Sequence, residues 1–263
     1  MLIKEIVQYL EQLYPPQLAI ESDFNRIGFI IGDLNFEVSN VLMALDLTLE
    51  VAQEAVLKNA NLIITHHPFF FQPLDKIMFS SEKGQILNLL FTHRLSLFVM
   101  HTNLDVGNNG VNDTLARLIG LIDFKVINNE VGKGNFLRYG EIRPLTLASL
   151  ALKLKNDLDL TGVRVVGDPQ KIIKRVGIVG GSGAHDEDIA AALAMDLDCY
   201  ITGEVKLPAA QKAYFHNLSL IEINHGVEKM VFYPLAQKMA GELGLKNRIF
   251  VSEINTDPLV VWK

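Results

Sequence analysis

The feature that most constrains the fold of this chain is an internal repeat. Residues 93–105 align without gaps with residues 216–228: both segments begin with histidine, continue through Leu-Ser-Leu and end on a carboxylate. Upstream, residues 62–68 correspond to residues 199–205 in the same order. Each match contains the end of an apolar run that is long enough for a strand. Two ordered matches of this kind predict that one structural unit occurs twice.

Within each half, apolar runs of strand length alternate with stretches of helical periodicity. The predicted strands are 40–46, 62–65, 96–101, 174–180, 198–202 and 219–224. The predicted helices are 49–59, 82–93, 186–196 and 207–216. This alternation is typical of an α/β fold with largely parallel strands. We therefore expect two similar α/β units whose mixed, largely parallel sheets are flanked by helices.

The stretch from about residue 128 to 166 interrupts the repeat and is rich in glycine and charge, which predicts a hairpin or a change of domain. We expect the domain boundary near 124–129. Strand-like segments late in the chain, 248–251 and 259–262, could return to the first sheet. The predicted domains are a discontinuous first domain, 1–126 plus roughly 225–263, which carries most of the candidate metal ligands, and a second domain, 127–224.

Composition argues against several classes of protein. The 263 residues are 49% hydrophobic and 21% charged, which is enough apolar material for a sizeable core. No apolar run approaches the roughly 20 residues that span a bilayer, and the amphipathic start does not match a signal peptide. A net charge of −6 without a Lys/Arg block disfavours nucleic acid as a partner. The single cysteine cannot form an internal disulfide, so we expect a reducing cytoplasm.

Histidines are concentrated at the carboxyl ends of predicted strands. Four of the seven lie at or just beyond such an end, and these are His66, His67, His101 and His225. Asp105 follows four residues after His101, and Glu228 follows three residues after His225. Ligand sites of parallel α/β sheets form at this edge. We therefore expect His66, His67, Asp105 and Glu228 to converge, although they are far apart in the sequence.

The residue types in this set indicate a metal site. Imidazole and carboxylate ligands without cysteine suit zinc, manganese or iron and disfavour a structural thiolate site. Adjacent side chains of an extended chain point apart, so His66 and His67 are predicted to serve two ions, which Glu228 could bridge. Such dinuclear sites hold ions about 3.5–4 Å apart. A structural role remains an alternative, in which Asp105 stabilises the turn at 107–110.

The glycine-rich segment 180–183 follows a predicted strand and precedes a predicted helix. Such a loop could present backbone N–H groups to an anion. The acidic residues 186–188 already occupy the start of the helix, however, where they interact favourably with its dipole. We interpret the segment as a tight turn that could line a cleft.

These residues lie in motifs that resemble the Nif3 family, also called the GTP cyclohydrolase I type 2 family, over nearly the whole chain. The motifs are Asn25-Arg-Ile-Gly28 with Gly32, Ala44-Leu-Asp46-Leu-Thr48, Ile64-Thr65-His66-His67-Pro68, His101-Thr-Asn-Leu-Asp105, Gly180-Gly181-Ser182-Gly183, Ile201-Thr202-Gly203-Glu204-Val205-Lys206 and a late His/Glu element. The resemblance implies a toroidal homohexamer of two-domain α/β subunits with a dinuclear metal site facing its interior.

The resemblance also implies roles for particular side chains. The implied ligands of two divalent ions per chain, zinc, iron or manganese, are His66, His67, Asp105, His225 and Glu228. His101 is the implied neighbour of the ligands, and because an imidazole can accept and donate protons it is the candidate catalytic residue.

The late element departs from the family pattern. The family usually places histidine four residues before its glutamate, where this chain has Asn224, and His225 comes three residues before Glu228. The repeat alignment likewise sets Asn224 opposite His101. Either a one-residue backbone adjustment brings His225 to the metal, or the second ion is bound more weakly.

The function that these features favour is a dinuclear metal-dependent hydrolase, GTP cyclohydrolase-like as the family name implies, acting on a nucleotide or a related small molecule. The first alternative is a non-enzymatic metal-binding scaffold or regulatory protein. A role at nucleic acid is a third hypothesis and conflicts with the charge balance. No residue in the sequence selects guanine.

Overall fold

The computed structural model describes residues 1–121, 123–127, 136–259 and 261–262. They form two compact units. Among the described residues, the first unit contains Met1–Asn108 and Lys229–Thr256, and the second contains the rest. The predicted domain limits near residues 126 and 225 stay a prediction, and part of the predicted boundary, 128–129, lies outside the described residues.

Helices and strands alternate through most of the chain. The helices are α1 (Ile3–Leu13), α2 (Leu49–Leu57), α3 (Glu82–Thr92), α4 (Thr102–Val106), α5 (Val111–Leu118), α6 (Leu147–Asp157), α7 (Asp186–Ala194), α8 (Leu207–Phe215) and α9 (Phe232–Glu242). The strands are β1 (Gly28–Ile31), β2 (Val41–Ala44), β3 (Leu62–Thr65), β4 (Ser96–Val99), β5 (Lys125–Val126), β6 (Arg138–Thr146), β7 (Arg164–Val166), β8 (Ile172–Val179), β9 (Cys199–Thr202), β10 (Ser219–Glu222) and β11 (Ile249–Val251).

The first unit contains a five-stranded sheet in the order β1-β4-β3-β2-β11. Strands β11, β2, β3 and β4 run parallel, and β1 is antiparallel to β4 at one edge. Every residue of β2, β3 and β4 is buried, which explains why these strands are continuous apolar runs in the sequence. The apolar sides of α2 and α3 pack on this sheet in one core cluster.

The second unit contains a six-stranded sheet in the order β5-β6-β8-β9-β10-β7. Its central strands β8, β9 and β10 are parallel, whereas β5, β6 and β7 are antiparallel to their neighbours. Helices α7 and α8 pack on it in a second core cluster. The expected fold class, two α/β units with mixed, largely parallel sheets flanked by helices, is confirmed.

The repeat found in the sequence is also present in the pairing of the strands. The first unit has the element order α1-β1-β2-α2-β3-α3-β4, and the second has α6-β7-β8-α7-β9-α8-β10. In the first sheet Leu62 pairs with Ser96, and in the second Cys199 pairs with Ser219. These are the residues that the sequence alignment sets opposite one another, so the two units share a register as well as an order.

The structure extends the repeat to a part of the chain where the sequence did not show it. Strands β1 and β7, which are antiparallel to β4 and β10 respectively, both lead into a Gly-Asp pair. Gly32 and Gly167 have φ values of +117° and +122°. A Cβ atom at Gly32 would lie 2.1 Å from the hydroxyl of Ser96, and one at Gly167 would lie 2.8 Å from that of Ser219. Glycine is therefore required at both positions.

Of the two strands predicted late in the chain, one is observed. Strand β11 pairs in parallel with β2, so the prediction that residues 248–251 return to the first sheet is confirmed. The strand predicted at 259–262 is not observed, since residues 259, 261 and 262 belong to no strand. No helix in the described part of the chain is long and apolar enough to cross a membrane.

Candidate metal centre

Three histidines follow the carboxyl ends of β3 and β4 in the first unit. His66 and His67 come directly after β3, and His101 lies two residues after β4. Each offers one ring nitrogen, and these three atoms lie within 4.8 Å of one another. Nitrogen ligands at this separation could hold a metal ion.

The rings of His66 and His67 are each fixed at the Nδ1 atom. Nδ1 of His66 lies 2.9 Å from the carbonyl oxygen of Met100, and Nδ1 of His67 lies 2.7 Å from Oδ1 of Asp46. A carbonyl or a carboxylate can only accept a hydrogen bond, so Nδ1 is the protonated nitrogen and Nε2 the one that can coordinate. Metal-binding histidines are oriented in this way in other proteins.

The carboxyl group of Asp46 is ionised and can therefore accept the hydrogen bond from Nδ1 of His67. Burial alone would raise the pKa of its carboxyl group, but the hydrogen bond and the charge of His67 bring that pKa below its usual range. The hydroxyl of Thr256 donates a second hydrogen bond of 2.5 Å to Oδ2. Asp46 is therefore an ionised acceptor that orients His67.

The adjacent histidines do not point apart. Their ring centroids are 5.0 Å from each other, and the two rings meet at 45°. Strand β3 ends at Thr65, so His66 and His67 lie in a bend where the alternation of an extended chain no longer applies. His66 and His67 are therefore close enough to contact one ion, but each also belongs to a separate group that could hold its own ion, so the expectation that they serve two ions stays a prediction.

His101 and Asp105 complete this group. Nδ1 of His101 lies 2.6 Å from Oδ2 of Asp23. Burial would raise the pKa of Asp23, but its hydrogen bond to His101 and the charge of that ring lower it. Asp105 is buried in α4, with Oδ1 3.5 Å from Nε2 of His66. Asp105 is thus beside the histidines and inside a helix, and its role as a ligand stays a prediction beside the alternative in which it stabilises the following turn.

The second unit holds the other two predicted ligands. His225 begins a 3-10 helix (His225–Val231), and its Nε2 lies 3.2 Å from Oε2 of the buried Glu228. Nδ1 of His225 lies 2.5 Å from Oε1 of Glu204. This hydrogen bond lowers the pKa of Glu204, which is therefore an ionised acceptor. Glu204 orients His225 as Asp46 orients His67.

The glycine-rich loop after β8 makes room for this pair. Gly181 has φ +57°, and a Cβ atom there would lie 2.6 Å from Oε1 of Glu228 and 3.2 Å from Nε2 of His225. A side chain at this position would displace both groups. The loop lies against the candidate ligands, which is a more definite role than the turn inferred from the sequence.

The backbone turns sharply at Asn224, the position where the late motif departs from the family pattern. Its φ is +72°, in the left-handed region that asparagine tolerates better than most residues. Its Oδ1 accepts a hydrogen bond of 2.6 Å from the amide of Gly226, and its Nδ2 donates one of 2.5 Å to Asp257. This tight turn leaves His225 as the residue that faces Glu228. The ligand role of His225 stays a prediction.

The structure therefore groups the predicted residues in two sets. His66, His67, His101 and Asp105 lie together in the first unit, and His225 lies with Glu228 in the second. The convergence of both sets on one dinuclear centre stays a prediction.

The carboxylates that orient the imidazoles were not among the residues predicted from the sequence. Asp46 and Glu204 follow the ends of β2 and β9, the same kind of position that identified the histidines, so a search for carboxylates there would have found them. Asp23 precedes β1 in a short 3-10 turn and had no such signal.

Three comparisons place the chain among known proteins. The sequence model of the Duf34/NIF3 family (NGG1p interacting factor 3) matches residues 1–258. Proteins named GTP cyclohydrolase 1 type 2 homolog are similar to it: the one from Clostridium acetobutylicum is 28% identical over 97% of each chain, and the one from Streptococcus pneumoniae is 31% identical over 98% of each. The crystal structure of a Staphylococcus aureus hypothetical protein has a TM-score of 0.91 and 31% identity, covering 100% of this chain and 99% of that one.

Proposed function

Because this chain belongs to the Duf34/NIF3 family, we propose that it is a metal-dependent hydrolase with a dinuclear centre, acting on a nucleotide or a related small molecule. The observation that carries the proposal is the group of three histidines whose Nδ1 atoms are all engaged by acceptors. Imidazoles held in this way are ready to coordinate without further ordering.

The donor atoms of the described residues fit two divalent ions such as zinc, iron or manganese. The proposed ligands are His66, His67 and Asp105 of the first unit with His225 and Glu228 of the second. All are nitrogen or oxygen donors, which these ions accept. The one thiol is buried in β9, and burial raises the pKa of Cys199, so it remains a protonated core residue.

The chemistry follows from the side chains around these ligands. When bound, two divalent ions would supply Lewis-acid activation of water and neutralise developing charge. Nε2 of His101 would accept and return a proton, since Nδ1 is engaged by Asp23. Asp46 and Glu204 would keep the rings of His67 and His225 in place during the reaction.

Two side chains beside the histidines favour an anionic aromatic substrate. The ring of Phe71 meets that of His101 edge-on, with centroids 6.0 Å apart, and Phe71 is 49% exposed. The guanidinium of Arg26 lies 5.9 Å from the centroid of Phe71. A flat apolar surface next to a positive charge suits a heteroaromatic ring that carries phosphate. The name of the relatives, GTP cyclohydrolase 1 type 2 homolog, supports the same class.

We also propose that the chain assembles with itself as a homohexamer. The number comes from the family resemblance. Large apolar side chains on the surface support self-association, since Phe79 is 84% exposed and Phe215 is 83% exposed. Light scattering at micromolar concentration and physiological salt should give a mass of six chains, and a 29.3 kDa species would contradict the proposal.

The central test combines metal analysis with a screen of nucleotides and phosphoesters. The purified protein should contain two ions per chain, and turnover of a nucleotide should disappear with chelation and return on addition of zinc, manganese or iron. Metal binding without turnover of any compound in the screen would instead favour the non-enzymatic scaffold.

A further inference from the structure

A buried hydrogen-bond network holds His101 from one side. Asp23 is only 1% exposed. Its Oδ2 lies 2.6 Å from Nδ1 of His101 and accepts a hydrogen bond of 2.6 Å from the hydroxyl of Thr102. Its Oδ1 lies 3.6 Å from the guanidinium of Arg26. A carboxyl group between two donors and a guanidinium is an ionised acceptor.

The network determines which nitrogen of His101 carries the proton. The backbone N–H of Ile20 donates to the hydroxyl of Thr102, which leaves that hydroxyl to donate to Asp23. An ionised carboxylate can only accept hydrogen bonds. Nδ1 of His101 must therefore be the donor, and the neutral ring then has its lone pair on Nε2.

At the equivalent position of the second unit, an N–H group also donates to a carboxylate, but the residue is asparagine. Asn224 aligns with His101, and its Nδ2 donates a hydrogen bond of 2.5 Å to Asp257. An amide NH₂ group has no other role than donor. Both units thus place an N–H donor on a carboxylate at this strand end. Histidine differs from asparagine in that it also brings a second nitrogen.

We propose that Asp23 is a positioning residue that holds His101 in the Nδ1–H tautomer and so presents an unprotonated Nε2 beside His66 and His67. The ring centroid of His101 lies 5.2 Å from that of His66 and 5.8 Å from that of His67. Asp23 acts through His101 and touches no substrate. The use of Nε2 as a proton acceptor rests on the proposed function, whereas the tautomer itself does not.

Solid-state NMR of metal-free protein labelled with ¹³C,¹⁵N-histidine tests the tautomer directly. The His101 signals are identified by their loss in His101→Gln. The wild-type protein should show His101 as Nδ1–H, since a hydrogen bond to a carboxylate favours one tautomer by roughly 10- to 100-fold. Asp23→Ala should make Nε2–H the main form, and Asp23→Asn should give a mixture, because an amide oxygen is a weaker acceptor.

Asp46→Asn is the matched control, since Asp46 holds His67 by the same kind of contact. It should alter the signals of His67 and leave those of His101 as Nδ1–H. Asp23→Glu should restore the Nδ1–H form in part, which a merely structural role would not require. Near-UV circular dichroism checks that each variant is folded, and Asp23→Asn, which keeps the shape of the side chain, serves if Asp23→Ala does not fold.

An Nε2–H signal for His101 in the wild-type protein would overturn the proposal, as would unchanged His101 signals in a folded Asp23→Asn or Asp23→Ala protein. A zinc titration of the wild-type protein separates this result from the proposed function. If zinc does not bind but the tautomer is as expected, the function is wrong and the role of Asp23 stands.

Discussion

The two units place different chemistry on equivalent strand ends. After β3 the first unit continues with His66 and His67, whereas after β9 the second unit continues with Gly203 and Glu204. The first pair supplies imidazoles that could coordinate a metal ion. Glu204 supplies instead the carboxylate that orients His225. The two units thus share the same strand-end positions. The residue type at each position determines whether its side chain could coordinate a metal ion or instead orients another side chain.

The ends of β4 and β10 also carry different residues at equivalent positions. His101 and Asn224 both donate to a carboxylate, but asparagine has no further nitrogen to offer a metal or a proton. One residue later, the left-handed backbone at Asn224 leads into His225, which is the predicted ligand of the second unit. The first unit is therefore richer in potential ligands than the second.

The difference between the two units should have its greatest effect on metal content. His225→Ala should lower the content from two ions towards one per chain, because a direct ligand is lost while those of the first unit remain. His101→Ala should weaken binding by about 10–100-fold and keep the stoichiometry at saturating metal. Elemental analysis after dialysis measures both, and the exposed His93→Ala is the control. If His101→Ala loses an ion and His225→Ala keeps both, His101 is the ligand and our assignment is wrong.

The next effect concerns the two glycines that follow the antiparallel edge strands. Gly32→Ala should lower the free energy of unfolding by roughly 2–5 kcal/mol, because the left-handed backbone and the contact with Ser96 both oppose a side chain. Gly167→Ala should cost less, since its nearest contact is 2.8 Å instead of 2.1 Å. Gly120→Ala, at φ +98° with open space around it, should cost only about 1–2 kcal/mol. Urea denaturation measures all three, and equal losses would show that the backbone alone sets the cost.

A smaller effect compares the carboxylates that orient the imidazoles. Asp46→Asn should weaken metal binding by roughly 10–100-fold, because an amide holds the His67 ring less firmly. Glu204→Gln should act in the same direction but less strongly, since its side chain is 49% exposed against 35% for Asp46. Competition with a chromophoric chelator gives both affinities. A larger loss of metal affinity in Glu204→Gln than in Asp46→Asn would contradict this prediction.

The smallest effect is the pH dependence of two His–Asp pairs in metal-free protein. The pKa of Asp46 is lowered in the folded state, so its contribution to stability is present above the ordinary aspartate range and is lost as pH falls through the lowered value. Burial raises the pKa of Asp188, which faces His185, so its contribution is present at low pH and is lost as pH rises through the raised value. The destabilisation by Asp46→Asn should therefore shrink towards acid, and that by Asp188→Asn should shrink towards neutral pH. Urea denaturation between about pH 3 and 7 measures both, and parallel profiles would contradict the assignment.

Much of the fold could be predicted because its signals are local. The buried parallel strands are apolar runs in the sequence. The gapless match of 93–105 with 216–228 predicted that β4 and β10 have equivalent registers, as their pairing with β3 and β9 confirms. The equivalence of β1 with β7 could not be found in this way. It depends on one Gly-Asp pair in each unit, and a two-residue match has no weight until the strands are seen to occupy the same edge.

Residues of the candidate site could be predicted from the sequence where they follow the carboxyl end of a predicted strand. His66, His67 and His101 were identified by position, and the structure groups them. The bend after Thr65, which brings adjacent imidazoles together, depends on tertiary packing and has no signature in the sequence. Asp23 was missed because its contact with His101 joins residues 78 positions apart.

Strand β11 has a consequence for the order of events during synthesis. It occupies the edge of the first sheet next to β2, and Thr256, a few residues later, donates to Asp46. Between β2 and β11 the ribosome makes most of the second unit. The sheet of the first unit is therefore complete, and His67 has its full support, only after β11 and Thr256 have been synthesised. Any metal binding that depends on His67 is then expected only once β11 has joined the first sheet.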